Sequence, residues 1–262
     1  AVVVPPVQHP LHIAARVATL DILSQGRVDL GVGRSGYPYQ MAAFGTALKD
    51  ATGMVDEALE IIPRAWTEGE FFFQGSHFTI PPREVHPKPF QKPHPPIWLG
   101  CSQEETFRKA GQLGLGALAM VGGGPDRLGE LIRIYRAAGR QDNAPHRDPH
   151  RFWQSQVAGS TLALCMENRQ QAWTRGAEIL DWYREQQRLR DFRVWGEQDP
   201  STVPADYAYH YRRLAAGASA NADDTPSLEL IQRGRYCIGD PDDCLRYLEQ
   251  FAQIGLDEMM PL

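Results

Sequence analysis

The chain of 262 residues has four cysteines, Cys101, Cys165, Cys237 and Cys244, and no C-x-x-C pair among them. That spacing excludes a zinc ribbon, and the low count excludes a disulfide scaffold, so reduced thiols in a cytoplasmic protein are the reading. Positive charge is not in excess either. Lys and Arg total 27 against 32 Asp and Glu, a formal net charge of −5, so nucleic acid and anionic membranes are not expected partners. No apolar run reaches the roughly 20 residues that span a bilayer. G-x-S-x-G, Walker and H-E-x-x-H patterns are all missing. The histidine pairs His9/His12 and His146/His150 have no acidic or cysteine ligand at zinc-like spacing, and no metal is expected.

What is present is an alternation of short apolar runs with amphipathic stretches. Apolar residues make up 42% of the chain and charged ones 23%, enough to bury a large core. Ala1–Val4 reads as a strand, followed by a helix from Pro10 with Leu11, Ala14, Ala18 and Ile22 on one face and Gly26 as its stop. Arg27–Gly33 is a second strand, and the next clear element is a helix from about Thr52 with Val55, Ala58, Leu59, Ile62, Ala65 and Trp66 inward. Phe71–Phe73 and His77–Ile80 form a hairpin, after which seven prolines between Pro81 and Pro96 impose an extended path. Pro96–Gly100, Leu115–Val121 and Val157–Cys165 are further strands. Helices follow at Gln103–Gln112, over Leu128–Ala138 and at Asn168–Arg190. Residues 191–235 are irregular. Asp240-Pro241 then opens a last helix, with Leu245, Leu248 and Ala252 inward, before a closing strand at Leu256–Met260. Strand–helix alternation predicts an α/β fold with a parallel sheet of six strands. No linker divides it, so residues 1–262 are read as one domain with 191–235 as an insertion or lid. Both ends stop in strand-like sequence and look cut.

Two motifs sit at strand ends. Gly31-Val32-Gly33-Arg34-Ser35-Gly36 matches G-x-G-x-x-G, but Tyr37-Pro38-Tyr39 follows where a dinucleotide site needs a helix to begin. A nicotinamide-binding Rossmann site is therefore a minor alternative. Glycines that let a ligand approach the backbone, with Arg34 as a planar anion binder, fit better. Gly100-Cys101-Ser102-Gln103-Glu104-Glu105-Thr106 is the second. Ser102 suits an N-cap with Glu105 completing a capping box. The same helix start, with the Ser102 and Thr106 hydroxyls, equally suits a phosphate.

Taken in order, these segments resemble the bacterial luciferase-like flavin-dependent monooxygenases. The blocks are His9-Pro10-Leu11 to Asp21, Ser24-Gln25-Gly26-Arg27, Leu30 to Arg34, Phe44-Gly45, Asp56-Glu57-Ala58-Leu59, Trp66-Thr67-Glu68-Gly69, Pro87-Lys88-Pro89-Phe90-Gln91, Pro93 to Trp98, Gly239-Asp240-Pro241 and Gly255 to Glu258. The resemblance implies a (β/α)₈ TIM barrel binding reduced FMN at the C-terminal ends of its strands. It further implies that the first two βα units and the last helix are missing, and with them a histidine upstream of Ala1 implicated in flavin chemistry. By resemblance, Arg34, Gly100, Cys101, Ser102, Gln103 and Thr106 hold the cofactor. Tyr37, His210 and Tyr211 are candidates for substrate contact. Many relatives carry a second phosphate arginine where Ala51-Thr52 stands here; Arg83 is a possible substitute.

The implied activity is a two-component monooxygenase that takes reduced FMN from a separate flavin reductase and uses dioxygen to oxygenate a small organic substrate. The implied assembly is a homodimer or higher homo-oligomer. Two alternatives share the barrel: a deazaflavin-dependent oxidoreductase, and a non-catalytic flavin-binding protein like the shortened flavoprotein of luminous bacteria.

Overall fold

A computed structural model describes residues 2–121, 124–140, 153–196, 199–208, 210 and 225–262. They fall into two compact units, residues 1–118 with 134–156, and residues 119–133 with 157–262. Among the described residues no helix is long and apolar enough to cross a membrane.

The first unit carries β1 (Val2–Val3), β2 (Leu30–Val32) and β5 (Ile97–Cys101), with α1 (Pro10–Ser24), a short α2 (Pro38–Ala43), α3 (Ala51–Thr67) and α4 (Glu104–Leu113). The strands pair in parallel, Val2 opposite Gly31 and Leu30, Gly31 and Val32 opposite Ile97, Trp98 and Leu99. The hairpin forms as β3 (Phe71–Gln74) and β4 (Thr79–Arg83), antiparallel. The apolar stripe read for α3 is buried as expected. On α1 the stripe differs: Ile13, Ala14, Val17, Ala18 and Asp21 are inward, while Ile22 is exposed. Asp21 explains the rotation. Its carboxylate is fully buried because it accepts the backbone N–H and the side-chain amide of Gln91, each at 2.8 Å.

The proline-rich run is tied down in the same way. Lys88 Nζ donates to the carbonyls of Ala65 and Glu68, two of the groups that the C-terminus of α3 leaves without intrahelical partners. Glu57 on α3 accepts three backbone N–H groups of the hairpin turn, from Ser76, His77 and Phe78. Trp66 Nε1 donates to the Ala14 carbonyl at 3.0 Å and joins α3 to α1. Several of the blocks that carry the family resemblance are thus fold staples.

β6 (Gly116–Met120) and α5 (Gly124–Arg140) contribute residues to both units. The expected inward residues of α5, Leu128, Leu131, Ile132, Tyr135 and Ala138, are buried.

The second unit holds β7 (Val157–Thr161), β8 (Ala163–Cys165), α6 (Arg169–Trp195), α7 (Ser227–Gln232), β9 (Cys237–Gly239), α8 (Pro241–Gln253) and β10 (Glu258–Pro261). β7 pairs with β10 and β8 with β9, both in parallel. The single strand expected over Val157–Cys165 is therefore two, each in its own pairing. Among the described residues of 191–235 there is more regular structure than expected, since α6 runs on to Trp195 and α7 lies within them. Leu180, Leu230, Ile231, Tyr236 and Ile238 form a buried cluster there. On α8 the inward face is set by Tyr247 and Phe251, with Leu245, Leu248 and Ala252 outside. The stripe shifts by one residue because the larger aromatic pair packs at 4.8 Å and the Tyr247 hydroxyl meets Thr161 Oγ1 at 2.9 Å.

Candidate functional site

The first unit brings the two strand-end motifs together. Past Val32 and Leu99, the last paired residues of β2 and β5, Gly33 lies beside Gly100, its Cα 4.0 Å from where a Gly100 Cβ would stand, and Arg34 and Cys101 follow at the C-terminal ends of these adjacent parallel strands. Neighbouring strands lie about 4.8 Å apart. Gly33 has no alternative here, because a Cβ would lie 2.8 Å from Val2 Cγ1. Gly100 is exposed and offers bare backbone.

Arg34 is half-buried and its Nη1 donates to Thr52 Oγ1 at 3.2 Å. Thr52 is the second residue of α3, so a hydroxyl at the start of that helix holds Arg34. Beyond Arg34 the chain turns through Ser35 at φ 66°. The Ser35 hydroxyl accepts the Tyr37 N–H at 3.2 Å and donates to Gln40 Oε1 at 3.0 Å. Tyr37 is half-buried as the N-cap of α2, its ring 5.9 Å from that of Tyr39. α2 begins two residues after Gly36, outside the glycine motif, and the dinucleotide reading lacks its helix.

At the second strand end the cap differs from expectation. The N-cap of α4 is Gln103, not Ser102, and the N3 residue is Thr106, not Glu105. Thr106 Oγ1 accepts the N–H groups of Ser102 and Gln103, both at 3.2 Å, and donates to the Gln103 carbonyl at 2.8 Å. Ser102 is exposed, and among the described residues its hydroxyl has no hydrogen-bond partner. Cys101 points the other way. Its thiol donates to the carbonyls of Leu99 and Thr106, burial pushes it up to about 12, and it packs as a core thiol. Only its backbone faces the strand end.

His210 belongs to the second unit, stacked on Trp195 with centroids 5.0 Å apart and planes 8° from parallel. Tyr211 lies outside the described residues, as do His146 and His150. Arg83 is exposed on β4, with its Nε on the Pro81 carbonyl. Among the described residues no cluster of His, Cys, Asp or Glu could hold a metal ion. His9 serves as the N-cap of α1, its Nδ1 accepting the Leu11 N–H at 3.2 Å. The roles of Thr52 and Thr106 as internal partners were not legible in advance, since each depends on a helix start falling one residue from where spacing placed it.

Comparison with known proteins bears on the family and the fold. The oxygenase component of a flavin-dependent trigonelline monooxygenase from Acinetobacter baylyi is 32% identical over 114 residues, 43% of this chain and 31% of that protein. The first curated relatives are much longer, with matched stretches spanning 42%, 30% and 31% of their lengths. Among solved structures, the oxygenating constituent of 3,6-diketocamphane monooxygenase from Pseudomonas putida, in complex with FMN, is similar with a TM-score of 0.72. It is 19% identical, covering 99% of this chain and 71% of that one. An F420-dependent secondary alcohol dehydrogenase has a TM-score of 0.64 at 16% identity, covering 99% and 71%. These likenesses show the α/β fold of luciferase-like barrels. The sequence profile of luciferase-like monooxygenases matches residues 1–258, and the chain belongs to that family.

Proposed function

We propose that this chain is the oxygenase part of a flavin-dependent monooxygenase and that it binds FMN phosphate at the ends of β2 and β5. The observation that carries the reading is that β2 and β5 pair in parallel and end side by side, with Arg34 following one and the exposed Ser102 following the other. A guanidinium and a hydroxyl at a helix start are the donors a phosphate needs. Gly100 and the Cys101 and Gln103 backbone complete the edge. Thr106 joins only if its hydroxyl turns from the Gln103 carbonyl to the anion.

Bound reduced FMN would supply the electrons that activate dioxygen for oxygenation of a small organic substrate. The chain's own tasks are to anchor the phosphate through Arg34, keep Arg34 oriented through Thr52, and exclude water from the ring. Tyr37, His210 and Tyr211 are proposed to contact substrate. In this reading residues 1–262 are one luciferase-like domain with 191–235 as its lid. It works in the cytoplasm as a homodimer or higher homo-oligomer, with a separate flavin reductase as partner. The relative from Acinetobacter baylyi, the oxygenase component of a flavin-dependent monooxygenase, supports a flavin with a separate reductase.

Titration calorimetry with FMN, riboflavin and coenzyme F420 tests the proposal. Preference for FMN over both is the expected result. Preference for F420 moves the chain to the deazaflavin branch, and no binding of any of the three removes the cofactor assignment.

A further inference from the structure

Three of the four cysteines meet in the second unit, away from the strand-end site. β8 and β9 place Ala163 opposite Cys237 and Cys165 opposite Gly239. The pairing continues one step, with the Met166 N–H on the Gly239 carbonyl at 3.0 Å. From Gly239 the chain passes through Asp240 into α8, whose fourth residue is Cys244. The Cys244 thiol lies 3.9 Å from the Cys237 carbonyl, and Cys165, opposite Gly239, is on the side of the strand pair that faces the first turn of α8, since a Cβ on Gly239 would stand 2.4 Å from Asp243.

The frame around this trio is stiff. Arg169 at the start of α6 bridges Asp240 at 3.0 Å and Asp243 at 2.8 Å. Asp240 and Asp243 form a capping box on α8. Gly239 has no room for a side chain, since a Cβ would stand 2.4 Å from Asp243. The first turn of α8 is therefore pressed onto β9, which sets Cys244 beside the Cys237 backbone.

Access is graded across the cluster. Cys165 is exposed, Cys244 half-buried and Cys237 buried, and all three are free. Burial and the neighbouring thiols keep Cys244 protonated, up at about 12, and burial also raises Cys237. An oxidant in solvent reaches Cys165 first.

We propose that Cys165 and Cys244 form a reversible disulfide in response to hydrogen peroxide. Peroxide transfers one oxygen to the Cys165 sulfur, giving a sulfenic acid and releasing water. The Cys244 sulfur then attacks the Cys165 sulfur and displaces the hydroxyl, which leaves as water with the Cys244 proton. The two thiols lose two electrons in total, and peroxide is reduced to water. Both thiols stand on the frame of β8, β9 and α8, so the second step is intramolecular. The bond ties the end of β8 to the first turns of α8 and closes a loop that contains α6 and α7.

The test treats the full chain with hydrogen peroxide, alkylates remaining thiols after denaturation and maps peptides without reduction. The expected result is loss of two hydrogens, a crosslinked pair of Cys165 and Cys244 peptides, alkylated Cys101 and Cys237, and full reversal by dithiothreitol. In Cys244→Ser, the Cys165 sulfenic acid should persist and be trapped by dimedone. The proposal is overturned if Cys165 stays reduced, or proceeds to the sulfonic acid while Cys244 remains alkylatable. A bond from Cys165 to Cys237 or to a second chain, or a Cys237–Cys244 bond, would overturn it equally.

Discussion

Arg34 Nη1 and Thr52 Oγ1 stand 3.2 Å apart, and this contact ties the end of β2 to the start of α3. A long arginine side chain loses considerable rotamer freedom when it binds an anion, so a partner that holds it beforehand favours binding. Thr52→Val keeps the shape and removes the acceptor. It should weaken FMN by about 0.5–1.5 kcal/mol, the net worth of one hydrogen bond, with little change in melting temperature. Calorimetric titration of the variant checks this.

The start of α4 separates a capping residue from a ligand residue. Thr106→Ala removes the acceptor for two backbone N–H groups and should destabilise the apo protein by about 1 kcal/mol. Ser102→Ala should leave apo stability within about 0.5 kcal/mol of wild type and reduce the stabilisation conferred by added FMN. Thermal melts with and without FMN distinguish the two. A large apo effect at Ser102 would make it structural.

Much of the fold was legible because periodicity reports burial. The stripes of α3 and α5 are buried residue for residue as spacing predicts. The misses share one cause. Tertiary partners override the local pattern, as Gln91 does by drawing Asp21 inward and Thr161 by drawing Tyr247 inward. At the strand ends, residue types marked Arg34 and Ser102 as candidates, but the one-residue shift of the α4 cap reassigns Ser102 and Thr106. Only the placed backbone shows that.

The buried Asp21 carboxylate depends on Gln91. Gln91→Ala removes the side-chain amide that joins Asp21 to the Val28 carbonyl and leaves part of a buried charge unsatisfied. A loss of about 1–3 kcal/mol is expected, measured by urea denaturation. Asp21→Asn, which presents a donor to the Gln91 N–H in one orientation and a weaker acceptor in the other, should also destabilise. A neutral Gln91→Ala would show that the clamp adds nothing to folding.

Acid sensitivity should arise in part at His9. Burial, then the neighbouring His12 and Arg83, hold its imidazole below the usual histidine value near 6.5. The unfolded chain therefore binds the proton more readily than the folded one. The sign follows: above pH 6.5 His9 contributes nothing to the pH dependence, and stability falls as pH drops below it. Protonation at Nδ1 would also end its acceptance of the Leu11 N–H. His9→Asn keeps a capping acceptor without the titration. Its melting temperature should fall less than that of wild type between pH 7 and 5. Parallel curves for the two proteins would remove His9 from the account.

The central claim is that the ends of β2 and β5 hold the phosphate of FMN through Arg34. The most direct measurement compares FMN with riboflavin, which lacks the phosphate, in wild type and Arg34→Ala. The account predicts that Arg34→Ala weakens FMN by about 1.5–3 kcal/mol, the size of a charge-assisted hydrogen bond, and leaves riboflavin nearly unchanged. Equal weakening of both ligands, or of neither, would contradict it.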